Sequence, residues 1–248
     1  STVTWDHRPM AETSADLRGI HAFAAMAAPD LARLERGAVR LDLRDGATVF
    51  QQGDPSDSVY AVIGGPGCVR AGVLDRRSKG LMIELLAAGD IFGEIAVIDG
   101  APRTATAVAV GNVRLARIRA ASFRDALAHS APLGEALCGL LARRLRRTFG
   151  LLQDATFETL EVRLARQVLY LLDREGRRTA EGMRLGRRLR QGDLADLLGG
   201  TTRSIITILN AWRSDGIVAY DGERALLTVR DLGRLRLVVE PDDGPSVL

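Results

Sequence analysis

The sequence predicts an α+β protein: a strand-rich N-terminal part, one long helix, and a C-terminal third of short helices with a small hairpin. Three observations predict this. Short apolar or alternating segments recur between Gly- and Pro-containing turns from Val39 to Ile118. An apolar pattern in alternating steps of three and four residues then runs from Cys138 to Val162. Finally, two short amphipathic segments flank Gly199-Gly200 and are followed by two strand-like runs.

Composition bounds the classes open to such a chain. It has 248 residues, 46% of them hydrophobic and 26% charged, enough for two domains with separate cores. No apolar run approaches the ~18–20 residues that span a bilayer. The N-terminal residues lack a basic-then-apolar signal pattern, so a cytoplasmic location without membrane attachment is the expectation. Cys68 and Cys138 are the only cysteines, and His7, His21 and His129 are scattered, so no metal or iron–sulfur site is expected. No nucleophile–base pair or paired carboxylates stand out, which argues against catalysis. The net charge of +3 hides an asymmetry: Arg163 to Arg236 holds 15 Arg and 9 acidic residues. That basic segment suits a polyanion, although a solvated Arg-rich surface would read the same way.

Taken in order, residues 1–19 are polar, weakly periodic and read as a mobile tail. Ile20 to Glu35 reads as two short helices, the second starting near Pro29. Val39, Leu41 and Leu43 alternate with Arg40, Asp42 and Arg44, the pattern of a half-buried strand. Further strands are expected at Thr48–Phe50, Val59–Ile63, Cys68–Leu74, Leu81–Leu86, Ala105–Val110 and Val113–Ile118. Many short strands with intervening turns indicate a sandwich or small barrel. Gly64-Gly65-Pro66-Gly67 reads as a bulged corner, and Ala121 to His129 as a helix.

The chemistry concentrates between Asp90 and Ala107. Gly93 permits close approach to the backbone, and the following Glu94-to-Val97 turn leaves amides that can face an anion. Arg103 offers a planar fork for phosphate oxygens, and Thr104 adds a hydroxyl donor. Glu94 is an anion and suits a sugar hydroxyl instead. Phosphate and ribose held side by side describe a small nucleotide. Glu94 and Arg103 alone could equally form a surface ion pair across a turn.

The long helix begins near Pro132. Cys138, Leu141, Leu145, Thr148, Leu152, Ala155, Thr159 and Val162 follow coiled-coil a/d spacing, with Arg143, Arg144, Arg146 and Arg147 outside it. Such a seam is buried most economically against a second copy; packing on the chain's own strand domain remains the alternative. Glu161 to Leu172 continues as helix, and a hairpin is expected around Glu181-Gly182. Leu194, Leu197 and Leu198 form the inner face of one helix, Gly199-Gly200 the turn, and Thr201 or Thr202 the cap of the next. Its inner face is Ile205, Ile208 and Leu209; its outer face carries Thr202, Arg203, Ser204 and Thr207. Two strands around Asp221-Gly222 and a last helix to Val239 follow.

The run Phe92-Gly93-Glu94-Ile95-Ala96, five further residues, then Pro102-Arg103-Thr104-Ala105-Thr106-Ala107 resembles the phosphate-binding cassette of cyclic-nucleotide-binding domains, as in the cyclic AMP receptor protein family of bacterial transcription regulators. Leu141-Ala142-Arg143-Arg144-Leu145 resembles that family's dimer helix, and residues 189–209 its winged helix-turn-helix.

The resemblance implies a jelly-roll barrel at residues 20–131, a dimerisation helix at 132–160 and a winged helix-turn-helix at 161–239; the acidic, Pro-containing residues 240–248 read as a tail. It implies that Glu94 takes the ribose 2′-hydroxyl, Arg103 and Thr104 the cyclic phosphate, with backbone amides near Gly93 and Ile95, and Thr148 the adenine amino group. The next position, a Ser from the other subunit in the cyclic AMP receptor itself, is Phe149, whose ring could stack on a purine or fill its space.

The implied partners are a cyclic nucleotide (cAMP foremost) as allosteric ligand with no other cofactor, double-stranded DNA, a second copy of the chain, and RNA polymerase. A same-fold regulator that is ligand-independent or answers another small molecule is the alternative. Thr201, Thr202, Arg203, Ser204 and Thr207 are the expected DNA-binding residues. The family's recognition helix commonly reads Thr-Arg-Glu-Thr-Val-x-Arg; Thr202, Arg203 and Thr207 stand at its Arg, Glu and second Arg.

Overall fold

A computed structural model describes residues 15–74, 80–186 and 188–240. The chain forms two compact units, Ser1–Arg70 with Leu85–Ala142, and Ala71–Glu84 with Arg143–Leu248.

In the first unit a 3-10 turn, His21–Phe23, precedes α1 (Ala28–Arg36), which has Pro29 in its first turn, where a missing N–H does no harm. Eight strands follow along the chain: β1 (Ala38–Leu43), β2 (Thr48–Phe50), β3 (Ser58–Gly64), β4 (Cys68–Leu74), β5 (Gly80–Leu86), β6 (Ile91–Phe92), β7 (Thr106–Val110) and β8 (Val113–Arg119). Of these, β4 and β5 lie largely in the Ala71–Glu84 stretch assigned to the second unit. The short helix α2 (Glu94–Asp99) lies between β6 and β7. After β8 come α3 (Ala120–His129) and α4 (Ala131–Phe157), the latter running on past Ala142 into the second unit.

The strands form two four-stranded sheets of a jelly roll, ordered β1-β8-β3-β6 and β2-β7-β4-β5. β1 pairs antiparallel with β8 from Ala38↔Ile118 to Leu43↔Val113, so Leu41 and Leu115 are partners. The β3–β8 register shifts between Val62 and Gly64, the bulge expected at the glycine-rich corner. The core is built from Phe23, Leu34, Val59, Ala61, Ile91, Val97, Ile118, Phe123, Leu133 and Leu137, among others. Each large aliphatic or aromatic side chain buried here contributes about 1.5–3 kcal/mol.

Two expectations are corrected. The N-terminal residues are not tail throughout: Ala15 and Leu17 are buried in this core, and Leu17 N–H donates to Glu35 Oε1 at 2.9 Å. The helix running from Cys138 also stops earlier than its apolar spacing suggests. It ends at Phe157, and Thr159 is the cap of α5 (Leu160–Glu175), its hydroxyl accepting from Val162 N–H. A capping hydroxyl outcompetes continued helix there, so Thr159 and Val162 leave the seam.

In the second unit, Arg166 of α5 pairs with Asp154 and Glu158 at the end of α4, fixing the bend between the helices. A hairpin, β9 (Arg177–Thr179) and β10 (Gly182–Arg184), precedes α6 (Gln191–Leu198) and α7 (Thr202–Ser214). Gly199, at φ 61°, ends α6 in the left-handed conformation, and Thr201 Oγ1 accepts from Ser204 N–H to start α7. β11 (Val218–Asp221), β12 (Leu226–Val229) and α8 (Leu232–Val239) complete the unit. The hairpin does not stand alone: all four short strands make one sheet in the order β11-β12-β10-β9.

Candidate functional site

The residues from Ile91 to Thr106 form a loop built around one arginine. β6 delivers the chain to Gly93, whose φ of 76° turns it into α2. Glu94, first in that helix, is buried, while Ile95 is exposed. Gly100, at φ 74°, stops α2, and Pro102 leads to Arg103.

The backbone of Arg103 is clamped to the turn after β2: its N–H donates to Asp54 O at 2.8 Å, and its carbonyl accepts from Gly53 N–H at 2.9 Å. Its side chain runs inward and is only 3% exposed. Nη1 donates to Gly93 O at 2.8 Å and Nη2 to Ser58 O at 2.7 Å. Gly93 is required twice over, because a Cβ there would lie 2.5 Å from Arg103 Nη1. Thr104 follows on the exposed side.

The Ser58 carbonyl is itself positioned. Arg117 Nε donates to Ser58 Oγ at 2.8 Å, Ser58 Oγ donates to Asp57 Oδ1 at 2.9 Å, and Arg117 pairs with Asp57. Burial alone would raise the Asp57 carboxyl; the Ser58 hydroxyl and the Arg117 charge outweigh it and hold it below its ordinary value. Burial pushes the Arg103 guanidinium below the ordinary arginine value, opposed by Tyr60, Asp57 and Asp54. An arginine stays charged regardless. Among the described residues no carboxylate lies within ion-pair distance of Arg103, and its Nε makes no hydrogen bond. The loop therefore stores a buried positive charge suited to an anion.

Thus Gly93 and Arg103 are in direct contact in the first unit, and Glu94, Ile95 and Thr104 are their neighbours in the chain on the same loop. Thr148 and Phe149 belong to the second, on α4. Thr148 Oγ1 donates to Arg144 O at 2.9 Å, which leaves its lone pairs able to accept from a donor. Cys138, Leu145, Phe149 and Leu152 are exposed along α4, the last three 55–64% exposed.

On α7, Ile205, Leu209 and Trp212 are buried, while Thr202, Arg203, Ile206, Thr207 and Asn210 share the exposed face. Thr201 caps the helix, and Ser204, bonded to that cap, is half-buried. Reading the sequence missed Ile206 and Asn210, although their spacing from Arg203 places them on that face. It also missed Phe50 and Ser58, which support Arg103 from strands remote in sequence; no local signal marks them.

Among the described residues no helix is long and apolar enough to cross a membrane. The fold and these sites define a DNA-binding regulator that carries a cyclic-nucleotide-binding domain. Residues 40–130 match the cyclic nucleotide-binding domain family, and residues 162–238 the Crp-like helix-turn-helix domain family. The chain is 32% identical over 177 residues to the cyclic AMP receptor protein of Thermus thermophilus, covering 70% of this chain and 76% of that protein. It is 29% identical over 198 residues to the CRP-like cAMP-activated global transcriptional regulator of Mycobacterium tuberculosis, covering 80% and 88%. Its fold matches the structure of the c-di-GMP responsive global regulator CLP of Xanthomonas campestris, with TM-score 0.71 at 21% identity, covering 83% of this chain and 100% of that one. The chain belongs to the CRP/FNR family of transcription regulators.

Proposed function

We propose that this protein is a homodimeric transcription regulator whose DNA binding is controlled by a cyclic nucleotide, cAMP foremost, held by the loop around Arg103. The observation that carries the reading is the Arg103 guanidinium: buried, held on two main-chain carbonyls, without an ion pair among the described residues and with Nε unbonded. A cyclic phosphate supplies the missing negative charge in a charge-assisted pair. The named activity of the mycobacterial and Thermus relatives agrees with cAMP.

In this reading Thr104 donates to a phosphate oxygen and Glu94 accepts from the ribose 2′-hydroxyl. Backbone amides at Gly93 and Ile95 complete the phosphate contacts, and Thr148 accepts from the base amino group. Residues 20–131 act as the sensor and 132–160 as the dimerisation helix, with 161–239 as the DNA-binding domain. The exposed Leu145, Phe149 and Leu152 of α4 pair with the same stripe of a second copy. The exposed face of α7 enters the major groove, one recognition helix per half-site. The ligand moves the balance between two arrangements of the dimer only by its differential affinity for them.

Calorimetric titration with cAMP, cGMP and cyclic di-GMP tests the reading, with Arg103→Ala as control. Binding of cAMP that weakens at least tenfold in Arg103→Ala is expected, from loss of about 1.5–3 kcal/mol. Undiminished binding by that variant overturns the phosphate assignment. Preference for cyclic di-GMP, the ligand named for the Xanthomonas regulator, overturns cAMP while leaving the site in place.

A further inference from the structure

We propose that Phe50 is a positioning residue for the phosphate-reading Arg103: its ring holds the guanidinium plane in place and shields it without neutralising it. The inference rests on the reading of Arg103 given above.

The Arg103 guanidinium carbon lies 4.2 Å from the centroid of the Phe50 ring and 5.6 Å from that of Tyr60. Phe50, Tyr60 and Phe92 form a cluster with centroid separations of 5.4–5.9 Å. Two hydrogen bonds to Gly93 O and Ser58 O hold one edge of the guanidinium. Two bonds along one edge still allow the plane to swing about the line joining them. A ring against its face removes that freedom, so the edge bearing Nε stays aimed in one direction.

The choice of ring over carboxylate matters for an anion site. A carboxylate against Arg103 would stabilise the cation and cancel its charge, and a phosphate would then have to displace it. An aromatic quadrupole favours the cation while carrying no formal charge. The site thus keeps a whole positive charge in a buried place, which is what makes phosphate binding there strong.

Local backbone geometry agrees with a placed side chain. The pairing of β2 with β7 runs Thr48↔Val108 and then Phe50↔Ala107, a slip of one residue between Thr48 and Phe50. A bulge of this kind re-aims the side chain that follows it. Gly93 closes the arrangement, since a Cβ there would meet Phe50 Cε1 at 3.3 Å as well as Arg103 Nη1.

The experiment compares Phe50→Leu, Phe50→Met and Phe50→Tyr in the full chain, each also in an Arg103→Gln background. Competition against a fluorescent cyclic nucleotide gives the affinity for cAMP, and NMR of the Arg103 Nε–Hε group gives its chemical shift. Loss of the ring in Leu or Met is expected to weaken cAMP roughly 3- to 30-fold. Phe50→Tyr should stay near the parent. The same ring loss should add little once Arg103→Gln has removed the cation, and it should abolish the ring-current displacement of the Nε–Hε resonance.

Two volumes are tried so that one misfolded variant does not decide the matter. Parent-like affinity in both Leu and Met, or an equal loss with and without Arg103→Gln, would mean that Phe50 only fills space. An unmoved Nε–Hε resonance would overturn the contact itself, with or without ligand. A parent that takes none of the three cyclic nucleotides, with that resonance still ring-shifted, sinks the nucleotide reading and the positioning role with it.

Discussion

The indole N–H of Trp212, near the end of α7, donates to Glu161 Oε1 in the first turn of α5 at 2.8 Å. Trp212 is fully buried and Glu161 is at the rim, so one bond ties α7 to the start of α5, the first helix of the same domain. Trp212→Ala is expected to destabilise the protein by about 3–5 kcal/mol through the cavity it leaves. Trp212→Phe loses chiefly the bond, about 0.5–1.5 kcal/mol, since Glu161 regains water. Urea unfolding followed by circular dichroism measures both; equal losses would assign no separate role to the bond.

The stripe on α4 is expected to hold the dimer. Because Leu145 and Leu152 are exposed in the single chain, a charge there leaves the subunit fold intact and acts on association alone. Leu145→Glu and Leu152→Glu should sediment as monomers with parent-like circular dichroism. Two variants that keep dimer mass would place the subunit contact elsewhere.

Gly93→Ala should damage the ligand site more than the fold. The variant pays about 1–2 kcal/mol for a non-glycine residue in the left-handed region, and its Cβ collides with Arg103 Nη1. Nucleotide affinity is expected to fall at least as far as in Arg103→Ala, with the two changes failing to add when combined. Additive losses would show that Gly93 acts independently of the guanidinium.

The Asp57–Ser58–Arg117 group gives a signed pH dependence. The Asp57 carboxyl is held below its unfolded value, about 3.9, so its stabilisation is fully present above that pH and is lost as pH falls through the folded value. Stability should therefore be insensitive to this group between pH 5 and 8. Below about pH 4 the parent is expected to lose more melting temperature than Asp57→Asn. Parallel acid profiles for the two proteins would remove Asp57 from the account.

On α7, Arg203 is the expected base reader, paired most simply with guanine, and Ile206 is placed to touch a thymine methyl. Selection from a random library should yield a two-fold-symmetric site that differs from the usual family operator. Arg203→Ala should erase one base preference, a loss of about 1–3 kcal/mol. A uniform drop across sequences, with a smaller salt slope, would make it a phosphate contact instead. Replacing thymine by deoxyuridine in the selected site should weaken the parent and leave Ile206→Ala unmoved; parent indifference at every position would remove Ile206 from readout.

By itself, the sequence determined the elements and the family. Period-two alternation at Val39–Leu43 and helix caps at Pro29 and Thr201 are local signals, and local signals set local structure. So are the left-handed glycines at 93, 100 and 199. The cassette was legible for the same reason: Gly93, Glu94 and Arg103 lie in one short run whose spacing carries its chemistry.

Only the tertiary structure decided what stands around that run. The Asp57–Arg117 pair joins residues 60 apart in the chain, and the Ser58 carbonyl and the Phe50 ring likewise reach Arg103 from strands remote in sequence, set in place by sheet pairing. Ala15 and Leu17 look like tail until a core forms that they can fill. The seam of α4 was overextended because apolar spacing continues through Thr159, whereas the helix ends where that hydroxyl caps the next one. Periodicity records which faces can be buried. Which of them is covered, and by what, is fixed by contacts between residues far apart in the chain.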